Sequence, residues 1–323
     1  MNQETLNQEL NVFNNLRHEL KLRDDIAIDS LDEYSFVIKN KACAHSHVDV
    51  LFCALTHGNE IIGLQIVNLI LNSIAKRQIN IHFNIAFMLN NVSAYEINKR
   101  FCDQDLNRSF MTDEKAQSNH EINRAKEIQN IILNLKPKVI IDLHQTIEPT
   151  HSSFFVIPES TELASLCYSV NPLWPILCFD SKGFSTEGRT LLEFAFQHRI
   201  KCFVIEVSQN GFDQIKAIEV AHLLQKKFID NSYEMLNSST QLPQSYYLIK
   251  QKLIKNSPKD DSYKMKRKFI NLDQVEKGEC IAESTSGDKI VSEYKGVILF
   301  PKSDARIDEY QDVGLIAQLV EKA

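Results

Sequence analysis

His57 and Glu60 are the first residues of this sequence whose types and spacing could do chemistry. They frame the segment His57-Gly58-Asn59-Glu60, which follows the apolar run 48–56 and precedes a segment with helical periodicity. In a turn between a strand and a helix, two side chains three positions apart can point to one place. An imidazole nitrogen and a carboxylate oxygen are two of the ligand types that catalytic zinc takes. The pair therefore predicts part of a metal site.

A third ligand must come from elsewhere in the chain, and His144 is suitably placed. It follows the apolar run 139–143, so we expect it at the carboxyl end of a buried strand. In open α/β sheets these ends share one edge, where ligand crevices form. His57, Glu60 and His144 are thus expected to converge on one zinc ion per chain, with one coordination position left open for water.

Glu206 lies in a third apolar run, at residues 202–207. An ionised carboxylate in such a run is costly unless it has a partner or a task. If the run ends at the same sheet edge, Glu206 can accept a proton from the metal-activated water and return it to the leaving nitrogen. The other interpretation is a salt-bridged or edge-facing residue with a structural role.

Polar residues are dense between Arg100 and Arg108, in a segment that follows a predicted strand. A guanidinium keeps its charge at working pH and offers a planar fork of donors that matches a carboxylate. Two arginines near a metal site therefore indicate an anionic substrate, with Asn107 as a further directional donor. Arg189 precedes the run 202–207 and could add another contact to the anion, although a surface position is the commoner use of a single arginine.

The elements that must position these residues follow from the hydrophobic pattern. After a predicted leading helix at 4–22, short apolar runs alternate with helix-period segments, as is typical of an α/β fold with a mixed, mainly parallel sheet and helices on both faces. The predicted strands lie at 35–38, 48–56, 81–89, 139–143, 153–157 and 202–207, and the predicted helices at 61–75, 122–135 and 218–236.

The pattern changes beyond about residue 240. Alternating residues from Ser245 onward, turn signals at Ser257-Pro258 and Lys277-Gly278, and the run 296–301 predict a small, mostly β domain. We therefore expect a catalytic domain at 1–240 and a β-rich domain at 241–323 that caps the site, with 237–240 as linker.

Composition limits the partners. The 323 residues carry 36 Lys and Arg against 42 Asp and Glu, a net charge of −6, which gives no reason to expect nucleic acid or an anionic membrane as partner. Residues 1–25 lack the apolar run of a signal peptide or membrane span, so a cytosolic protein is expected. The seven cysteines form no CxxC pair, and we expect reduced, mostly buried thiols.

Four motifs follow one another along the chain: Thr-His-Gly-Asn-Glu at 56–60, Asp-Leu-Asn-Arg at 105–108, Asp-Leu-His at 142–144 and Ile-Glu-Val at 205–207. In this order they resemble the motifs of the aspartoacylase and succinylglutamate desuccinylase family of zinc-carboxypeptidase-like hydrolases. The resemblance covers most of the first 215 residues and implies zinc on His57, Glu60 and His144. It also implies Glu206 as proton shuttle and Arg100 polarising the scissile carbonyl, while Asn107 and Arg108 bind the substrate carboxylate.

The resemblance further implies a substrate, an acetyl or succinyl group on an acidic amino acid, and a β-rich C-terminal domain that narrows the site. Two segments depart from the family pattern. Residues 53–56 read Cys-Ala-Leu-Thr in place of a glycine-rich lead-in, and 207–211 read Val-Ser-Gln-Asn-Gly without the Gly-Pro of aspartoacylases. Tyr310 is the candidate for a tyrosine that closes the site.

Three functions remain open from the sequence. The first is hydrolysis of the amide bond of a small, anionic N-acyl amino acid. The second is a zinc peptidase acting on small peptides, which would need an open groove that the C-terminal domain would tend to cap. The third is a non-catalytic α/β binding protein, against which Glu206 and Arg100 argue. The sequence leaves the acyl group, the amino acid and the oligomeric state open.

Overall fold

The computed structural model describes residues 3–111, 117–179, 189–230, 241–255, 261–307 and 311–321. Within these ranges the helices are α1 (Gln3–Lys21), α2 (Ile62–Ala75), α3 (Val92–Glu96), α4 (His120–Leu135), α5 (Thr161–Val170), α6 (Leu191–Gln197) and α7 (Gln214–Phe228), and a short 3-10 turn lies at Leu106–Arg108. The strands are β1 (Ile26–Asp32), β2 (Ser35–Asn40), β3 (Val50–Ala54), β4 (Ile85–Leu89), β5 (Val139–Thr146), β6 (Phe154–Pro158), β7 (Ile176–Phe179), β8 (Lys201–Gln209), β9 (Ser245–Ile254), β10 (Tyr263–Met265), β11 (Gln274–Val275), β12 (Cys280–Ser284), β13 (Lys289–Val291), β14 (Gly296–Leu299) and β15 (Asp312–Glu321).

One mixed sheet organises the molecule. Twelve of the described strands form it, in the order β1-β2-β4-β3-β5-β8-β6-β7-β9-β15-β14-β11. The neighbours β4, β3, β5 and β8 are all parallel to one another, and the group β6, β7 and β9 is also parallel. Antiparallel pairs join these two groups and form both ends of the sheet. The α/β class predicted from the sequence is confirmed.

Helices cover both faces of the sheet, because alternate residues of its buried central strands are apolar on each side. Side chains of α1, α2, α5 and α7 share one apolar cluster with the first face, and those of α4 and α6 share a second cluster with the other face. None of the helices in the described ranges has the length and apolar character needed to cross a membrane.

The predicted elements are present with adjusted bounds. The strand predicted at 81–89 begins only at Ile85, because the Asn84 amide bonds to the loop before β3. The helix predicted at 218–236 begins at Gln214, where Asp213 caps it, and ends at Phe228. Its extension over residues 229 and 230 was therefore wrong, and 231–236 lie outside the described residues. The predicted linker 237–240 and the turn at Ser257-Pro258 also lie outside them.

The C-terminal part is β-rich, as predicted. β9 pairs in parallel with β7, and β15, β14 and β11 then extend the same sheet. A second sheet of three strands, β10-β12-β13, lies beside it, and the C-terminal part has an apolar cluster of its own. The division into domains at 240 and 241 stays a prediction.

All seven cysteines are free. Four of them, Cys53, Cys167, Cys178 and Cys202, are buried, and the other three are partly buried. Burial raises the pKa of the Cys53, Cys167 and Cys202 thiols well above the ordinary value. The expectation of reduced, mostly buried thiols agrees with this arrangement.

Gly58 sits where the turn after β3 presses against α3. A Cβ at this position would lie 2.3 Å from the backbone nitrogen of Tyr95 and 2.4 Å from the carbonyl carbon of Ala94. These are backbone atoms of a helix, so they cannot move aside as the end of a flexible side chain can. Only glycine lets the turn between His57 and Glu60 approach α3 so closely.

We therefore expect Gly58→Ala to lower the free energy of unfolding by about 1–3 kcal/mol, because the helix backbone must shift to make room. Urea unfolding followed by circular dichroism measures the change. The neighbouring variant Asn59→Ala is the control and should cost less. Equal stability of Gly58→Ala and the parent protein would show that the turn does not depend on this contact.

Candidate metal centre and active site

Three strand ends bring the predicted chemistry to one edge of the sheet. β3 ends at Ala54 and the turn that carries His57 follows directly, while His144 and Glu206 lie near the carboxyl ends of β5 and β8. His144 and Glu206 are register partners across the parallel β5–β8 pair, so their side chains stand side by side on one face. The convergence expected from the sequence is present.

Glu60 lies between two imidazoles. Its Oε1 is 2.7 Å from Nδ1 of His57, and its Oε2 is 2.9 Å from Nδ1 of His144. All three residues are buried, and one ligand atom from each lies within 4.8 Å of the other two. Burial raises the pKa of Glu60, but His57 and His144 outweigh it and leave the pKa well below its ordinary value. The carboxylate is held in its charged form.

The outer nitrogens of both imidazoles meet carboxylates. Nε2 of His144 is 2.8 Å from Oδ2 of Asp142, and Nε2 of His57 is 3.1 Å from Oδ1 of Asp105. These carboxylates fix the two rings so that both Nδ1 atoms face Glu60, which is how carboxylates orient histidine ligands of a metal. Two imidazole nitrogens and a carboxylate are a donor set that zinc accepts. The residues present therefore fit a zinc ion.

Asp142 is itself fixed by buried donors. Its Oδ1 accepts a 2.8 Å hydrogen bond from Oγ1 of Thr56, which in turn accepts one from Nδ2 of Asn90. Burial lowers the pKa of His144, but Asp142 and Glu60 outweigh it and raise the pKa well above its ordinary value. Asp142 and Asp105 both occur in the sequence motifs, but sequence analysis predicted no contact for either.

Glu206 is the second buried carboxyl group of the site. Its exposed fraction is 8%, and among the described residues its buried Oε2 has no hydrogen-bond partner. Burial raises its pKa to about 7, with His144 opposing the rise and Glu60 adding to it. A carboxyl group with a pKa near neutrality can both accept and donate a proton at working pH. Glu60 and Glu206 are thus adjacent carboxyl groups with opposite pKa shifts.

Arg100 reaches the metal-ligand residues from the loop after α3. Its Nη1 donates to Oε1 of Glu60 at 3.0 Å, and its Nη2 donates to Oδ2 of Asp105 at 3.2 Å. Nη2 also lies 2.7 Å from Nε2 of His57. Arg100 therefore lies directly beside His57, Glu60 and Asp105.

The loop that carries Arg100 and Asp105 is anchored by a buried glutamate. The carboxylate of Glu121, in the first turn of α4, accepts backbone hydrogen bonds from Cys102 at 2.7 Å and from Asp103 at 3.0 Å. Asn91 donates to the same carboxylate at 3.1 Å. Sequence reasoning did not find this role, since the contacts join residues that have no shared local pattern.

Asn107, Arg108 and Arg189 meet at the cleft. Oδ1 of Asn107 accepts from the backbone nitrogen of Leu191 at 3.0 Å, and the backbone nitrogen of Phe110 donates to the carbonyl of Arg189 at 3.1 Å. These bonds join the segment that bears Asn107 and Arg108 to the start of α6. All three residues line the same cleft. Tyr310 lies outside the described residues.

The segment without the family glycines contains a left-handed residue. Leu55 has a φ of 58°, a conformation that is unusual for a bulky side chain. Backbone hydrogen bonds from Asn90 to Ala54 at 2.8 Å and from Asn91 to Leu55 at 2.9 Å hold it there. The departure noted at 53–56 thus includes a position whose backbone favours glycine, immediately before the residues of the metal centre.

The cleft above the centre has a volume of about 750 Å³. One wall carries the residues described above, and the other comes from β9, β15 and the segment after β14. Sequence analysis did not predict this second wall, because its position depends on strand pairings between distant parts of the chain. Its residues are Lys252, Phe300, Pro301, Lys302, Asp312 and Leu315.

Lys302 makes the cleft more cationic. Its Nζ lies 3.8 Å from Oδ2 of Asp312 and donates to the carbonyl of Phe300 at 3.2 Å. Burial lowers its pKa; Asp312 opposes this, and the positive charges of Arg100, Arg306 and Arg108 lower the pKa further. An anion bound among these cations would relieve their mutual repulsion.

Comparisons with known proteins agree with this geometry. The succinylglutamate desuccinylase of Ectopseudomonas mendocina is 26% identical over 133 residues, 39% of this chain and only 40% of that protein. The succinylglutamate desuccinylase of Pseudomonas fluorescens strain SBW25 is 22% identical over 293 residues, which is 86% of both chains. The crystal structure of the Chromobacterium violaceum succinylglutamate desuccinylase superposes with a TM-score of 0.72 at 18% identity, covering 95% of this chain and 98% of that one.

At 18% identity, the likeness to the Chromobacterium violaceum structure shows the fold of this chain and no more. The family itself is shown by the match of residues 46–230, more than half of the chain, to the model of the succinylglutamate desuccinylase/aspartoacylase catalytic domain. The matched range contains the strand ends, the two imidazoles and both buried carboxyl groups described above. This chain therefore belongs to the succinylglutamate desuccinylase/aspartoacylase family.

Proposed function

We propose that this protein is a zinc-dependent amidohydrolase that cleaves a small, anionic N-acyl amino acid into a carboxylate and the free amino acid. The observation that carries the proposal is the buried group His57, Glu60 and His144, with Glu206 beside it, at the base of a cationic cleft. Relatives named succinylglutamate desuccinylase and aspartoacylase support the reaction class.

His57, Glu60 and His144 would hold one zinc ion. Bound there, zinc would supply Lewis-acid polarisation of the scissile carbonyl and lower the pKa of a water molecule. Asp105 and Asp142 contact the outer nitrogens of the imidazoles, which orients both rings with their Nδ1 atoms inward. The protein would therefore hold the three ligands in place before the metal ion binds.

Glu206 would move the proton during hydrolysis. In its charged form the carboxylate accepts a proton from the attacking water, so that the oxygen can add to the amide carbon. The protonated carboxyl group then donates to the leaving nitrogen as the C–N bond breaks, and Glu206 returns to its starting state. A pKa of about 7 suits both steps.

Arg100 would stabilise negative charge on the carbonyl oxygen as water adds. Its guanidinium already reaches Glu60 and Asp105, so its plane is fixed before substrate arrives. Fixed donors of this kind need no reorganisation at the moment of reaction.

The cationic wall would select the anionic substrate. Arg108 offers a planar fork to a carboxylate, and Asn107, whose oxygen is engaged by Leu191, offers its amide nitrogen. Arg189 and Lys302 line the same cleft and extend the positive charge. We infer an acyl amino acid with more than one carboxylate, such as an N-acetyl or N-succinyl derivative of aspartate or glutamate.

Tyr310 stays the candidate for a closing contact. We expect a cytosolic enzyme that acts on this small molecule without nucleic acid or membrane. A zinc peptidase is the nearest alternative, and the wall formed by Phe300 and Lys302 leaves the cleft better suited to a short substrate than to a chain that continues beyond it.

Removal of metal should abolish activity, and added zinc should restore it. His57→Ala and His144→Ala should each lose one equivalent of zinc relative to the parent protein, together with turnover, because each removes one of three ligands. Elemental analysis and a hydrolysis assay measure the two effects. His151→Ala is the control, since His151 is exposed and pairs with Asp273. Unchanged zinc in both ligand variants would rule out this metal centre.

Glu206→Gln should keep the fold and the zinc but lower kcat by about 10²–10⁴-fold, because the amide cannot take up and return the proton. Steady-state kinetics on zinc-loaded protein measures the loss. Glu148→Gln is the matched control, because Glu148 lines the same cleft and is given no part in proton transfer. A Glu206→Gln enzyme with parental kcat would move the proton-transfer role to another carboxylate, such as Asp142.

A substrate panel tests the function itself. Zinc-loaded protein should hydrolyse N-acetylaspartate, N-succinylglutamate or a related N-acyl acidic amino acid faster than N-acetylalanine and faster than dipeptides. Arg108→Gln should cost ~2–4 kcal/mol in transition-state binding on the anionic substrate, because its carboxylate is left unpaired in a desolvated site. That loss corresponds to roughly 30- to 900-fold in kcat/KM.

Arg108→Lys should also be poor, since a lysine keeps the charge but not the planar fork. Both Arg108 variants should approach the parental kcat/KM on N-acetylalanine, which lacks a side-chain carboxylate. This comparison tests that the loss is specific to the side-chain carboxylate of the acidic substrates. Preference of the parent for dipeptides would favour the peptidase, and near-normal activity of Arg108→Lys on the acidic substrate would place the anion contact elsewhere.

A further inference from the structure

A second group of metal-ligating side chains lies at the opposite edge of the sheet. His45, His47 and Asp49 precede β3, whereas His57 follows it. The five residues of β3 separate the two edges by about 16 Å. The group is therefore distinct from the centre that holds His57, Glu60 and His144, and the inference drawn from it does not depend on the proposed function.

The nitrogen and oxygen atoms of this group lie at separations close to those of ligand atoms around one ion. The two imidazole rings stack 3.6 Å apart at an angle of 8°. Nε2 of His45 lies 3.6 Å from Oδ2 of Asp49, and Nε2 of His47 lies 3.5 Å from Oδ1. These separations are long for hydrogen bonds. Two ligand atoms bound to one tetrahedral zinc ion stand about 3.4 Å apart.

The carboxylate is buried and held in place. Asp49 is fully buried, and the backbone nitrogen of Asn84 donates to its Oδ2 at 3.2 Å. The side-chain amide of Asn84 donates to the carbonyls of His45 at 2.9 Å and His47 at 3.0 Å, which fixes both histidines relative to the start of β4. Among the described residues, the buried Nε2 of His47 makes no hydrogen bond.

Lys138 occupies part of the position at present. Its Nζ lies 2.8 Å from Oδ1 of Asp49, so the ammonium offsets the buried charge in the absence of an ion. The lysine side chain is 28% exposed and can turn towards solvent. The side chains of His45 and His47 are 31% and 40% exposed, which gives an ion an entry path and leaves room for water to complete its coordination.

We propose that His45, His47 and Asp49 form a second metal site that binds a divalent transition-metal ion of the zinc class. Two imidazoles and one carboxylate suit such ions better than they suit calcium or magnesium, which prefer oxygen ligands. The ion would displace Lys138 from Asp49 and fix His45 and His47 relative to the start of β3. Because it binds the folded chain, it would stabilise the fold.

A third group of neighbouring side chains, Cys102, His120 and Glu121, serves as the control. The Glu121 carboxylate is already engaged by backbone nitrogens of Cys102 and Asp103. Its structural role is complete without a metal ion, so we expect no binding there.

The test is a titration of metal-free protein with zinc alone, followed by elemental analysis of bound zinc and by thermal unfolding. The parent protein should bind two equivalents. His45→Ala/His47→Ala should bind one, and keep parental kcat and kcat/KM once loaded. His57→Ala/His144→Ala should also keep one equivalent, and zinc should still raise its Tm. His120→Ala should behave as the parent.

Lys138→Gln should bind the second ion roughly tenfold more tightly or better, because a competing positive charge is removed. If the double variant does not fold, the milder His47→Gln should still lose one equivalent. A parent that binds a single equivalent, lost in His57→Ala/His144→Ala and kept in His45→Ala/His47→Ala, would overturn the second site. A parent that binds a single equivalent, lost in His45→Ala/His47→Ala and kept in His57→Ala/His144→Ala, would support the second site and contradict the catalytic one.

Discussion

Glu60 is a charged carboxylate with almost no contact with water, and moving such a group out of solvent costs several kcal/mol unless its neighbours compensate. Here the compensation comes from four directions. His57 and Arg100 approach Oε1, while His144 and the backbone nitrogen of Gln145 approach Oε2. These neighbours belong to three segments, so the turn after β3, the end of β5 and the loop after α3 must all be in place together. Loss of any one leaves buried charge uncompensated.

The same charge organises the chemistry around it. Negative Glu60 favours positive or polarised imidazoles, and it disfavours a second charge on the neighbouring Glu206. Adjacent carboxyl groups whose pKa values are driven apart are the usual basis for dividing ligand and proton-transfer roles. Asp105 and Asp142 extend the pattern outward, since each holds the far nitrogen of one imidazole.

Much of the site could be predicted because it depends on strand periodicity. An apolar run that ends in a polar residue places that residue at the sheet edge, and this reasoning brought His57, His144 and Glu206 together. Arg100, Asn107, Arg108 and Arg189 also line the expected cleft. The partner of Asp105 could not be predicted, because His57 is 48 positions away in sequence and no local pattern joins them.

The second wall of the cleft escaped prediction for the same reason. Lys252 and Lys302 reach the site only because β9 pairs with β7 and β15 then pairs with β9 and β14. The end of α7 was misplaced because the amphipathic sequence pattern continues past Phe228, whereas the helix ends there. Local periodicity specifies elements well and specifies their long-range neighbours poorly.

The hydrogen bonds between β7 and β9 also affect how substrate selectivity could change among proteins with this fold. The strand that begins the C-terminal part is hydrogen-bonded to β7 of the large sheet, so its cleft residues belong to the same sheet as His144 and Glu206. Under the proposed function, chemistry and selectivity would be carried by different stretches of one continuous scaffold. Substitutions at positions 252, 300 and 302 would change the lining of the cleft without disturbing the imidazoles of His57 and His144. A change of substrate would then require only point substitutions on the second wall of the cleft.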